Sequence, residues 1–171
     1  NVYGASKEAG EQAIREASLH HLILRTSWIV SPFGVNFVKT MLRLAEGKSV
    51  LRVVGDQLGR PTIAGDLADI IQVLLLRMIC GDSSVHGTYH VANEDEISWA
   101  GFAQAIFGVS VDLGGPYAIV ETIGSQDYPT VARRPRYSTL STLKLQQDFG
   151  LIMPSWREGL PQLVAGLRKS Q

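Results

Sequence analysis

The sequence predicts an α/β fold in which helices alternate with short strands. Three observations predict it. Residues 4–18 carry Ala5, Ala9, Ala13, Ile14 and Ala17 on one helical face and lead into the apolar run 22–26, the pattern of a helix feeding a buried strand. Residues 64–79 form a second, strongly apolar helical stretch that precedes a strand at 88–92. Two further helical stretches, 142–149 and 156–167, close the chain.

Each element has local signals. The helix expected over 36–46 places Phe37, Met41, Leu44 and Ala45 at helical spacing and stops at Gly47. A strand follows at 51–54 and a loop at 55–62, whose Gly59 and Pro61 punctuate it. Asp66 stands in the first turn of the 64–79 helix, where the helix dipole favours a carboxylate, and that helix is expected to be buried on much of its circumference. Ser98 reads as an N-cap for the next helix. Residues 109–128 are Gly-rich and irregular apart from a strand over 118–123.

Composition bounds the function. With 171 residues, 45% of them hydrophobic and 19% charged, the chain can bury one substantial core. Zero formal net charge argues against a broad nucleic-acid footprint. The most apolar run, 70–79, is short for a membrane span and is interrupted by Gln72 and Arg77. Cys80 is the sole cysteine, so no internal disulfide or cysteine zinc site is expected. His20, His21, His86 and His90 lack metal-ligand spacing, so no metal is predicted. A reducing, cytoplasmic setting fits this usage.

The chemistry-bearing motif is Tyr3 with Lys7, four residues apart at the start of a helix. This spacing puts phenol and ammonium one turn apart on one face. An ammonium beside a phenol favours the phenolate, the combination needed to move a proton on or off a carbonyl or alcohol oxygen. The spacing alone is equally that of a solvated surface pair.

Six segments in order carry more information: Asn-Val-Tyr-Gly-x-x-Lys (1–7), Leu-Arg-Thr-Ser-Trp (24–28), Asn-Phe-Val-Lys-Thr-Met-Leu (36–42), Asp-Gln-Leu-Gly-Arg-Pro-Thr (56–62), Gly-Thr-Tyr-His-Val-Ala (87–92) and Tyr-Pro-Thr-Val-Ala-Arg-Arg-Pro-Arg-Tyr-Ser-x-Leu (128–140). Together they resemble the C-terminal half of the dTDP-4-dehydrorhamnose reductases, extended short-chain dehydrogenases/reductases. The resemblance implies the C-terminal part of a Rossmann-like fold, the last sheet strands plus a small mixed α/β substrate domain. It implies reduction by NADPH or NADH of the 4-keto group of a dTDP-linked 6-deoxyhexose, giving dTDP-L-rhamnose. By this resemblance Tyr3 donates the proton, and Lys7 assists it and holds the nicotinamide ribose. Thr26 and Ser27 lie at the cofactor, at the carboxyl end of their strand. Trp28 lies against the sugar, a core or interface tryptophan being the alternative. Asn36 serves the diphosphate, an N-cap, or both. Gln57, Arg60 and Thr62 line the nucleotide pocket, with a solvated arginine the alternative at Arg60. One of Arg133 and Arg134 binds substrate.

A doubly wound sheet carries its Gly-rich phosphate turn at its first strand, and no such turn stands here. The expectation is therefore a C-terminal portion whose NAD(P)H site lies largely in a missing N-terminal half, and which alone is inactive. Residues 1–54 are assigned to the dinucleotide-binding domain, with the 36–46 helix toward the substrate side. Residues 55–171 are assigned mainly to the substrate domain, with 64–92 returning to the sheet. The expected partner is a dTDP-sugar, with no nucleic acid or membrane, and a homo-oligomer is left open. Two other readings fit the same motif: a non-catalytic NADP-binding regulatory subunit like that of methionine adenosyltransferase, and a nucleotide-sugar epimerase or dehydratase.

Overall fold

The computed structural model describes residues 2–128, 130 and 134–168. Helix α1 (Val2–Ala17) leads into strand β1 (Leu22–Arg25), and the two-residue strand β2 (Ile29–Val30) follows. Helix α2 (Phe37–Ala45) is capped by Asn36, whose side chain accepts from the Lys39 N–H. Strand β3 (Val50–Val54) precedes the short strands β4 (Leu58–Gly59) and β5 (Thr62–Ile63), then helix α3 (Ala64–Ile79), strands β6 (Gly87–His90) and β7 (Ile97–Ser98), and helix α4 (Trp99–Asp112). Strand β8 (Ile119–Ile123), helix α5 (Leu143–Phe149) and helix α6 (Trp156–Arg168) complete the order.

The strands pair across long stretches of sequence. Parallel pairs join β1 to β6, β2 to β5 and β3 to β8, while β4 and β7 pair antiparallel. Two packed clusters support them. The larger joins Val30, Leu51 and Val53 of the strands to Val38 of α2, Phe102, Ile106 and Phe107 of α4, and Trp156, Leu160 and Val164 of α6. The smaller joins Tyr89 of β6 to Ile70 and Leu74 of α3 and Leu145 and Phe149 of α5. Gly150 ends α5 at φ 68°, the left-handed conformation that glycine adopts without a Cβ penalty.

Helix α3 has the predicted bounds, but its burial differs from the expectation. Ile70 and Leu74 are its buried residues, and Ile71, Leu75, Leu76 and Ile79 are exposed. Helix α5 and β6 cover one side only. Cys80, just past the helix, is exposed. No helix among the described residues is long and apolar enough to cross a membrane.

A buried asparagine ties three elements together. Asn93 is fully buried. Its Oδ1 accepts from the Ile63 N–H at 2.8 Å, and its Nδ2 donates to Asp66 at 2.5 Å and to the Pro154 carbonyl at 3.0 Å. One side chain thus fixes the start of α3, the end of β5 and the approach to α6. Its polar groups are satisfied, as burial requires.

Candidate functional site

Tyr3 and Lys7 lie on α1, which has no buried residue. The Tyr3 side chain is 71% exposed, and the Lys7 Nζ stands 5.5 Å from its ring centroid. The i, i+4 spacing therefore does bring phenol and ammonium to one face. Among the described residues no hydrogen bond holds the Lys7 ammonium, so phenol and ammonium are open to a ligand. That donor set suits the hydroxyls of a nicotinamide ribose and a substrate oxygen.

Ion pairs hold α1 to the carboxyl end of β1. The Arg25 guanidinium grips Glu11 through two bonds of 2.7 and 2.8 Å and reaches Glu8 at 3.1 Å. Arg15 pairs with the same two carboxylates. The hydrogen bond from Arg25 is the main reason the Glu11 carboxyl titrates below its ordinary range. Lys7 is adjacent to Glu8, and Thr26 is adjacent to Arg25, so these pairs set the dyad's helix against the strand end.

Beyond β1 the chain turns sharply. Thr26 Oγ1 donates to Thr62 Oγ1 at 3.4 Å, and Ser27 Oγ donates to the Arg60 carbonyl at 3.1 Å. These two predicted cofactor residues are thus joined to two predicted substrate residues. Thr62 is fully buried. Trp28 has φ 47°, a left-handed conformation that costs a bulky residue about 1–3 kcal/mol and persists only where its surroundings enforce it. The Trp28 carbonyl accepts from the Thr62 N–H at 3.1 Å. Its indole stacks on Trp99, with centroids 3.5 Å apart and planes 11° from parallel. Gly59 lies against it, and a Cβ there would fall 2.5 Å from Trp28 Cε2.

The other predicted residues are placed as follows. The Asn36 amide is engaged as the α2 cap and donates to the Ser31 carbonyl at 2.7 Å. Gln57 donates to Ser125 Oγ at 2.9 Å. Ser125 in turn gives its hydroxyl and its N–H to Asp56, which holds the Asp56 carboxyl below its ordinary range. Arg60 is half-buried, and its buried Nε has no hydrogen-bond partner among the described residues. Nearby Glu96 titrates below its ordinary range, mainly through a hydrogen bond from Thr139, then one from Tyr137, with the Arg60 charge contributing. Arg134 is exposed, and Arg133 lies outside the described residues. A separate groove is lined by Pro32, Gly34, Lys39, Arg43 and Leu167, none of them predicted from sequence. Sequence reasoning missed Trp99. It follows the Ser98 cap, where a helix-face pattern reveals no partner distant in sequence.

The family model for the RmlD substrate binding domain matches residues 1–169. The dTDP-4-dehydrorhamnose reductase of Sinorhizobium fredii is 44% identical over 98% of this chain and 57% of its own length. That of Escherichia coli K12 is 40% identical over 96% of this chain and 55% of its own. The crystal structure of dTDP-4-dehydrorhamnose reductase from Bacillus anthracis in complex with NADP superposes with a TM-score of 0.82 at 38% identity, covering 96% of this chain and 55% of that one. The chain spans about half the length of the curated relatives it matches.

These matches correct several expectations. The expectation of a resemblance to the C-terminal portion only is overturned, because the match runs along 96–98% of the chain. The description as last strands plus a small domain gives way to a short-chain dehydrogenase/reductase likeness over 96% of the chain. Nothing in the match marks the chain as an inactive fragment, and that expectation is withdrawn. The expectation that the chain lacks the cofactor-binding half, with the NAD(P)H site in missing residues, is withdrawn as well, since the structure matched along the chain is an NADP complex. On the family model and these identities, the chain belongs to the RmlD substrate binding domain family.

Proposed function

We propose that the protein uses NADPH or NADH to reduce the 4-keto group of dTDP-4-dehydro-6-deoxy-L-mannose, forming dTDP-L-rhamnose. The observation that carries this is the Tyr3–Lys7 pair, open on one helix face, in a chain 44% identical to a dTDP-4-dehydrorhamnose reductase. The setting we infer is cytoplasmic. Residues 1–54 serve mainly the cofactor side and 55–171 mainly the substrate side. The parallel pairing of β6 with β1 supports the return of 64–92 to the sheet.

A nicotinamide held by Lys7, Thr26 and Ser27 would supply the hydride for the carbonyl carbon. The chain's own residues do the remainder. Tyr3 gives its phenolic proton to the substrate 4-oxygen as negative charge develops there. Lys7 stabilises the phenolate left behind and holds a ribose hydroxyl. Thr26 and Ser27, fixed by Thr62 and the Arg60 carbonyl, border the nicotinamide. The Trp28 indole offers a flat apolar wall to the deoxyhexose. Asn36, Gln57, Arg60 and Thr62 shape the nucleotide side, and a guanidinium from Arg134 or Arg133 suits the diphosphate.

The test is to mix the protein with NADPH and the dTDP-4-keto sugar. Stoichiometric loss of NADPH absorbance with formation of dTDP-L-rhamnose is expected. Sugar conversion without net NADPH loss would instead identify an epimerase or dehydratase. NADP binding without any sugar conversion would identify a regulatory subunit.

A further inference from the structure

The indole of Trp28 is held by more than the turn that carries it, between β1 and β2. Its backbone sits in a left-handed conformation, so nothing intrinsic to the residue favours this placement. Gly59 leaves just enough room for the ring, and Trp99 stacks on it at 3.5 Å. Trp99 is itself braced from within. Phe37 lies 4.6 Å from it, Phe102 lies 5.7 Å from Phe37, and Trp156 lies 5.1 Å from Phe102. Phe102 and Trp156 are fully buried, and the Trp156 Nε1 donates to the Asp95 carbonyl at 3.0 Å. An aromatic ladder thus runs from the larger core out to a half-exposed tryptophan at the end of β1. A near-parallel, face-to-face pair is not the geometry that two free indoles choose, so the surrounding packing sets it.

We propose that Trp99 is a positioning residue, which fixes the Trp28 indole at the angle the sugar ring requires, with Gly59 as the slot that admits the ring. This rests on the reductase reading. It adds a specific division of labour: Trp28 touches the sugar, and Trp99 determines where Trp28 stands.

The experiment compares Trp99→Leu, which keeps apolar volume without a flat face, with Trp99→Phe, which keeps a flat face. Gly59→Ala displaces the Trp28 ring without altering Trp99. Expected for Trp99→Leu and Gly59→Ala is a rise of about tenfold in KM for the dTDP-sugar. The KM for NADPH and the affinity for dTDP alone should stay unchanged, and Trp99→Phe should return the sugar KM to within about twofold of the parent. The exciton-coupled circular dichroism of two stacked indoles should be present in the parent and lost in Trp99→Leu, Trp99→Phe and Trp28→Phe. A folded Trp99→Leu with unchanged sugar KM, or a parent without the exciton couplet, overturns the positioning role alone. A parent that shows the couplet but turns over no dTDP-sugar overturns the reductase reading, and the purpose assigned to the stack falls with it. Gly59→Ala decides the matter if Trp99→Leu does not fold.

Discussion

Helix α1 and the aromatic ladder are held in opposite ways. The helix that carries Tyr3 and Lys7 buries none of its residues and is tied to β1 through Arg25, Arg15, Glu8 and Glu11. The ladder that ends at Trp28 is rooted in Phe102 and Trp156, both without exposed surface. Exposed ion pairs contribute modestly to stability, whereas buried aromatic packing contributes much. The proposed proton donor can therefore be altered at little cost to the fold. The root of the ladder that supports the proposed sugar wall cannot, because it is part of the core itself.

The sharpest way to break this contrast is at the root of the ladder. Phe102→Ala is expected to lower stability by about 3–5 kcal/mol, read as a fall in the urea midpoint. A loss under about 1 kcal/mol would remove the core from the comparison. Tyr3→Phe is the counterpart on α1. NADPH-dependent sugar reduction should fall about 10²–10⁴-fold, while the melting temperature stays that of the parent because the ring is exposed. Equal losses of activity and stability would show that α1 is packed more firmly than its exposure indicates.

Asn93→Ala probes the buried polar side of the same region. It leaves the Ile63 N–H without its acceptor and Asp66 without its donor, and a loss of about 1–3 kcal/mol is expected in denaturant unfolding. The smallest effect concerns the tether. Because the Arg25 hydrogen bond depresses the Glu11 titration, its stabilising contribution is complete above the ordinary carboxylate range. It is lost as pH falls through the depressed value. Arg25→Met should cost less than about 1 kcal/mol at neutral pH and should make acid unfolding less steep. An unchanged acid limb would place the tether's contribution elsewhere.

How far the sequence reveals this molecule differs between the two regions. The bounds of α3 and the Ser98 cap were legible, because apolar periodicity and capping chemistry act within one turn. The side shared by Tyr3 and Lys7 was legible for the same reason. Strands β2, β4, β5 and β7, of two residues each, are too short for alternation to appear. The exposure of Ile71, Leu75 and Leu76 was misjudged, because apolar composition does not say which faces find partners. The joining of Thr26 to Thr62, and of Trp28 to Trp99 and Gly59, depends on segments far apart in the chain, and no local pattern encodes it.

The strand pairing has a kinetic consequence. Leu22 pairs with Gly87, Ile29 with Thr62, Val50 with Ile119, and Leu58 with Ser98. No described strand pairs with the next one along the chain, so no hairpin can zip up early and template the rest. Each pairing must first close a long loop, whose entropy is lost before any ladder bond forms. Helices, whose contacts are local, form on a much faster timescale. Packing of α4 against α6 through Phe102 and Trp156 would shorten the loops that these pairings have to close. Pairing across such separations is expected to make the strands, and not the helices, the slow step of folding.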